Sequence, residues 1–84
     1  MPMGNLNNVD LFVATDIVPI TPNDSTDLAI GVRAIRATVA GTLRITTYAG
    51  NVRNTRIAAD EVLQVYAVRV HAAGTTATGL EGLV

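Results

Sequence analysis

Apolar and polar residues alternate along most of this chain with the period of two that is typical of β-strands. Many of the alternating residues are Val, Ile or Thr, whose branching at Cβ favours an extended backbone. The pattern predicts four main strands, at residues 32–40, 43–48, 52–57 and 62–71. A shorter strand is predicted at residues 16–20, and it should lie at a sheet edge because Pro19 has no N–H to donate. The more polar strand at residues 52–57 is predicted to lie at an edge as well.

The same period assigns the inward face of each strand. The side chains predicted to line the core are Ile35, Ala37 and Val39 in one strand, Leu43, Ile45 and Thr47 in the next, and Val62, Gln64, Tyr66, Val68 and Val70 in the longest. A helix is the alternative for residues 32–40, because their apolar positions also fit a period of 3.6. Gly41 and the strand pattern that follows it favour a hairpin between two strands instead.

Turn-forming residues separate the predicted strands at intervals of about 8–12 residues. In residues 21–24, Asn23 and Asp24 can bond back to their own backbone, and residues 49–51 form a turn of hairpin type. Residues 63–84 should form a long strand, a turn at Gly74 and a short last strand whose apolar end at Val84 is packed. We therefore predict an all-β fold, a small antiparallel β-sandwich or barrel.

The first fourteen residues lack this periodicity. We predict an extended N-terminal arm at residues 1–14 and a single β domain at residues 15–84. Phe12 is the only phenylalanine, and two roles are open to it. It either closes one end of the domain's own core or anchors the arm in a neighbouring subunit.

The length of 84 residues bounds what this chain can bury by itself. A domain of this size removes only about 60% of its unfolded surface from water, so small domains rely on disulfides, metals or oligomerisation. Cys is absent and His71 is the only histidine, which leaves oligomerisation. The apolar share of 49%, against 15% charged residues, also favours a chain with interfaces.

The net charge of −1 gives no reason to expect direct nucleic-acid binding, and no apolar run is long enough for a membrane span. All six basic residues are Arg. Arginine suits fixed contacts at interfaces because its donors form a planar fork. Compositional drift in a GC-rich genome is the alternative explanation for the absence of Lys.

No residue pattern in the chain indicates catalysis, a cofactor or a metal site. Ser25 and His71 are the only residues of their types, and nothing in their placement favours a nucleophile with its base. Asp60 and Glu61 are adjacent in a turn, and the glycines form no phosphate-binding loop. The acidic run at residues 23–27 lacks the spacing of a calcium loop. We expect a protein that is not an enzyme.

Several segments of the chain resemble a known family. They are residues 21–28, residues 33–35, residues 41–46 and residues 68–79, of which the sequence AAGTTATG is the most similar part. The family is that of small spike base and head decoration proteins of tailed bacteriophages and gene transfer agents. The resemblance extends over about residues 15–84 and leaves residues 1–14 without a counterpart.

The resemblance implies a virion structural protein, located in the virion, that oligomerises and docks on the capsid as a head decoration (cement) subunit or the base of a spike or fibre. Its partners would be copies of itself, with a trimer favoured, and other virion proteins such as the major capsid protein or a fibre. The interface residues that we predict are Phe12, Arg36, Arg44, Tyr48, Arg69, His71, Leu80, Leu83 and Val84. A carbohydrate- or receptor-binding β module is the alternative; it needs an exposed aromatic platform, for which Tyr48 is the only outward candidate.

Overall fold

The computed structural model describes residues 14–84, which form seven β-strands and no helix. The strands are β1 (Ile17–Pro19), β2 (Ala34–Val39), β3 (Gly41–Thr47), β4 (Val52–Ile57), β5 (Val62–Leu63), β6 (Ala67–Val70) and β7 (Thr78–Leu83). Sheet A has the order β1-β7-β2-β5, and sheet B has the order β4-β3-β6. All strand pairs are antiparallel. The predicted all-β fold is confirmed, and it is a small sandwich.

The core lies between the two sheets and takes side chains from both. Its largest fully buried members are Val32, Ile35, Leu43, Ile45 and Val70. The inward faces of β2 and β3 are therefore largely as predicted, although Val39 at the end of β2 is exposed. Gly82 of β7 keeps the sheets close, because a Cβ at this position would collide with Val32.

The predicted hairpin at Gly41 is wrong. Only Ala40 separates β2 from β3, yet the two strands belong to different sheets, so the chain turns a corner here. Gly41 permits the corner, because a Cβ there would lie 2.5 Å from the backbone nitrogen of Ala77. The corner passes so close to another backbone segment that no side chain fits.

The predicted long strand at residues 62–71 is also wrong. It divides into β5 in sheet A and β6 in sheet B, with residues 64–66 crossing between them. Val62, Gln64 and Tyr66 are exposed on either side of the crossing. Within β6, a register shift against β3 at Thr46/Thr47 breaks the period of two, so Ala67 and Val70 are both buried. The inward face predicted for this segment is correct only at Val70.

Residues 71–77 join β6 to β7 without forming the predicted hairpin, because β7 pairs with β1 and β2 instead. The segment lies along β3. The backbone N–H of Thr42 donates to Thr76 Oγ1 at 2.8 Å, and that of Arg44 donates to Thr75 Oγ1 at 3.0 Å. Gly74 has the predicted positive φ, at 88°. Threonine hydroxyls thus replace part of a strand ladder at this edge of β3.

Two edges and one turn are as predicted. β1, which contains Pro19, is an edge strand of sheet A, and β4 is an edge strand of sheet B. The turn at residues 48–51 closes the β3–β4 hairpin, where the N–H of Thr47 donates to the Asn51 carbonyl at 2.9 Å. Val84 is half-buried, and its N–H donates to the Asp16 carbonyl at 3.0 Å, so this apolar end is packed.

Candidate interaction surfaces

The outer face of sheet A carries aliphatic side chains in register, of which Ile17, Pro19 and Val62 are exposed, Leu83 is half-buried and Ala34 is buried. Ile17, Leu83 and Ala34 form one row across β1, β7 and β2. The next row is Pro19, Glu81, Arg36 and Val62. Side chains opposite each other in neighbouring strands share a face, so the two rows form one surface. We call these seven residues the aliphatic face.

An ion pair lies near the centre of the aliphatic face. Arg36 Nη2 is 3.0 Å from Glu81 Oε1. Two apolar residues on the face remain open to solvent, with Ile17 57% and Val62 44% exposed. Exposed apolar side chains around a satisfied charge pair are typical of a protein interface.

The outer face of sheet B is polar and basic. Arg44 of β3 lies opposite Asn54 of β4, and Arg56 of β4 lies opposite Thr42. Arg53 is on the same edge strand but on its other face, opposite Ile45. We call Arg44, Arg53 and Arg56 the basic group. None of its members forms an ion pair within residues 14–84.

Residues 23–28 cover the free edge of β6. The N–H of Asn23 donates to the Val70 carbonyl, and the N–H of Leu28 donates to the Val68 carbonyl, each at 2.8 Å. Arg69 fixes this loop: its Nε lies 2.8 Å from Asp27 Oδ1, and its Nη1 donates to the Asp24 carbonyl at 3.1 Å. Its donors are therefore engaged inside the chain, which the prediction of Arg69 as an interface residue did not anticipate.

His71 joins the same loop to sheet B. Its Nε2 lies 2.9 Å from Thr46 Oγ1, and its Nδ1 lies 3.9 Å from Asp24 Oδ1. The Ser25 hydroxyl donates to Asn23 Oδ1 at 3.1 Å. In the described part of the chain no hydrogen bond joins Ser25 to His71, so the arrangement required of a nucleophile and its base is not present there.

Tyr48 and Tyr66 form an exposed aromatic pair at one end of sheet B. Their ring centroids are 5.3 Å apart with an interplanar angle of 75°, an edge-to-face arrangement. Tyr48 is 77% exposed and Tyr66 is 42% exposed. The Tyr66 ring lies over Gly31, where a Cβ would be 2.6 Å from its Cε1. The sequence predicted an outward Tyr48 but placed Tyr66 in the core.

The structure separates the predicted interface residues into groups. Arg36 and Leu83 meet on the aliphatic face, and Arg44 belongs to the basic group. Leu80, which the sequence placed at an interface, is only 5% exposed and lies in the chain's own core. Val84 packs against that core, and Phe12 lies outside the described residues.

The interface residues predicted from the sequence did not include Ile17, Val62, Arg53 or Arg56. The strand pattern contains their positions, but the rows they form depend on which strands are neighbours. That information is in the register between strands and not in the period along one strand.

Residues 14–84 contain no group of three or more His, Cys, Asp and Glu side chains that could hold a metal ion. Over the same range, no helix is long and apolar enough to cross a membrane.

Comparison with known proteins gives one informative match. No protein-family model matches the chain, and no curated protein matches it. Among solved structures, it is similar to a chain in the capsid of the native GTA particle computed with C5 symmetry. The sequence identity is 44%, the match covers 84% of this chain and 83% of that chain, and the TM-score is 0.78.

Proposed function

The chain belongs to the same family as this component of the gene transfer agent (GTA) capsid particle and is a virion structural protein, and we propose that it serves there as a head decoration or spike base subunit. The proposal has two parts. The chain self-associates through the aliphatic face, and the assembly docks on other virion proteins.

The aliphatic face is the observation that carries the proposal. A single chain of this size leaves Ile17, Val62 and the half-buried Leu83 on one outer surface. Covering exposed apolar area contributes roughly 25 cal/mol per Å². In a closed ring the face of one copy lies against a different surface of the next copy, and the Arg36–Glu81 pair offers that surface both signs of charge.

Two symmetries fit this proposal. The sequence resemblance favours a trimer. The GTA particle that contains the similar chain was computed with C5 symmetry, which describes the particle as a whole; a fivefold ring of this chain is the second assembly to test. Both are closed rings in which each copy is related to the next by rotation.

We propose no catalytic role for the chain. The Ser25 hydroxyl is engaged by Asn23, and the His71 ring is engaged by Thr46. Replacement of either residue by Ala is expected to leave assembly intact. The same proposal assigns no direct nucleic-acid or membrane contact to the chain.

The experiment that tests docking uses particles assembled without this chain, to which the purified chain is added. Saturable binding is expected, and its positions on the particle separate the two roles. Density over the whole shell indicates decoration, whereas density at restricted positions indicates a spike base. No binding at any concentration would contradict both roles.

A second candidate function is recognition of a carbohydrate or receptor at the Tyr48–Tyr66 pair, favoured by the exposure of both rings. Aromatic faces pack against the apolar faces of sugars, and Tyr48 presents most of its ring to solvent. Glycan-array binding that disappears in Tyr48→Ala, with assembly unchanged, would support this candidate. Absence of binding by the wild-type assembly would remove it.

A further inference from the structure

The two sheets have four edges, and the described residues protect three of them. β1 is three residues long and contains Pro19, and β5 has two residues. β6 is covered by residues 23–28 through backbone hydrogen bonds. β4 is six residues long, contains no proline and has no strand or loop paired along its outer side in residues 14–84. An open edge of this length is a template for another strand.

The backbone groups on the open side of β4 follow from the hairpin register. Thr47 and Asn51 form a hydrogen-bonded pair at the turn. Hydrogen-bonded and non-hydrogen-bonded pairs alternate along an antiparallel ladder. Val52, Asn54 and Arg56 therefore direct their N–H and C=O groups away from β3. These three residues offer the donors and acceptors that an added strand needs.

The charge at this edge identifies the chemistry of the added strand. Arg53 and Arg56 are on β4, Arg44 is on the neighbouring strand, and none of the three forms an ion pair in the described region. Opposite charges across strands stabilise the pairing, and like charges oppose it. We propose that β4 binds an extended acidic segment of another virion protein as an added strand of sheet B.

The spacing of the two arginines defines the segment further. Arg53 and Arg56 are three positions apart, so they lie on opposite faces of the strand. An added strand would place Asp or Glu opposite each of them when its acidic residues are also three positions apart. Arg44 reinforces the charge on the face of Arg56, because both belong to the outer face of sheet B.

A second copy of β4 is a poor occupant of this edge. Antiparallel pairing of β4 with itself would add a second strand that carries two arginines and no acidic residue, so the two copies would repel each other. The chain's own residues 1–13 contain a single acidic residue, Asp10, and cannot match both arginines. The inference rests on the proposed function only in taking the partner to be a virion protein.

The test uses the isotope-labelled full chain and three strand-forming peptides of equal length. The first has two Glu residues three positions apart, the second has Lys at these positions, and the third has the two Glu residues adjacent. The expected result is binding of the first peptide, with amide shifts and slowed exchange concentrated at Val52, Asn54 and Arg56. Equal binding of all three peptides, or shifts centred on another surface, would overturn the proposal.

Two variants of the chain test the same proposal by changing β4 instead of the peptide. Asn54→Pro removes one outward N–H without removing a bond to β3, and it is expected to abolish binding, while Asn54→Ala retains it. The double variant Arg53→Glu with Arg56→Glu is expected to weaken binding of the acidic peptide about tenfold and to favour the Lys peptide. If Asn54→Pro does not fold, the charge-reversed double variant alone provides the test. If that variant still binds the acidic peptide in preference to the Lys peptide, the proposal is overturned.

Competition experiments distinguish the acidic segment from other molecules that could bind the edge of β4. Displacement of the acidic peptide by a single-stranded oligonucleotide at equal concentration would identify a general anion site and overturn the proposal. Tighter binding of a peptide of residues 1–13 would assign the edge to this chain's own arm and would also overturn it. The solution mass of the chain is recorded in the same samples. Failure of peptide binding with self-association intact therefore counts against this inference alone.

Discussion

Arg36 and Glu81 face each other across β2 and β7, with Arg36 Nη2 3.0 Å from Glu81 Oε1, at the centre of the aliphatic face. Both side chains are exposed, so water screens the pair in the isolated chain and it contributes less than about 1 kcal/mol to folding. Burial of the face against another copy would remove this water. The contribution of the pair should therefore depend on assembly.

The first prediction concerns this dependence. Replacement of Arg36 alone by Ala should leave Glu81 charged and unpaired in the assembled interface, at a cost of about 2 kcal/mol or more to association. The free energy of unfolding of the dilute single chain should fall by less than about 1 kcal/mol. Concentration-dependent sedimentation measures the free energy of association, and urea denaturation measures the free energy of unfolding.

The double replacement of Arg36 and Glu81 by Ala is the control for this prediction, because it leaves no unpaired charge. It should associate better than the single variant Arg36→Ala. Equal association by the single variant and the wild type would show that the pair remains in water and is not within an interface.

The second prediction concerns Arg69, which joins residues 23–28 to β6. Arg69→Ala removes the contact with Asp27 and the hydrogen bond to the Asp24 carbonyl. We expect the free energy of unfolding to fall by about 1–2 kcal/mol, since hydrogen bonds to charged groups contribute more than neutral ones. Arg44→Ala is the matched control and should change it by less than about 0.5 kcal/mol. Equal effects would show that the loop is not held by Arg69.

The third prediction compares two glycines that are needed for different reasons. Gly41→Ala places a Cβ 2.5 Å from the Ala77 backbone nitrogen and should destabilise the chain by about 3 kcal/mol. Gly50 has a φ of 88° and open space around it, so Gly50→Ala should cost only about 1 kcal/mol. Gly50→Asn should cost less still, because Asn tolerates positive φ. Thermal denaturation should show the largest loss of stability for Gly41→Ala, a smaller loss for Gly50→Ala and the smallest for Gly50→Asn. A Gly41→Ala variant as stable as the wild type would contradict the tight corner between β2 and β3.

Local features of the fold were predictable from the sequence because their causes are local. The proline in β1, the turn at residues 49–51 and the alternation from Leu43 to Thr47 each act within a few residues. The sheet to which a strand belongs is not a local property. Ala40 and residues 64–66 connect strands of different sheets, and a period of two is the same whether the next strand pairs or crosses.

The candidate surfaces were predictable only in part for the same reason. Arg36 and Leu83 were expected at an interface, but Ile17 and Val62 join them only through the pairing of β1 with β7 and of β2 with β5. Arg69 and Asp27 are 42 positions apart, so their contact has no sequence signal. The exposure of Tyr66 follows from the crossing at residues 64–66, which the strand pattern conceals.

The central claim is self-association through the aliphatic face, and the solution mass across a dilution series tests it most directly. The wild-type chain of 8.8 kDa should give a constant multiple of its own mass, and Ile17→Asp should reduce it to that of one chain. Ile30→Asp is the matched control, because Ile30 is 61% exposed, Ile17 is 57% exposed, and Ile30 lies outside the face. The account predicts that Ile30→Asp remains assembled. A wild-type chain that is monomeric at every concentration, or equal dissociation of the two variants, would contradict it.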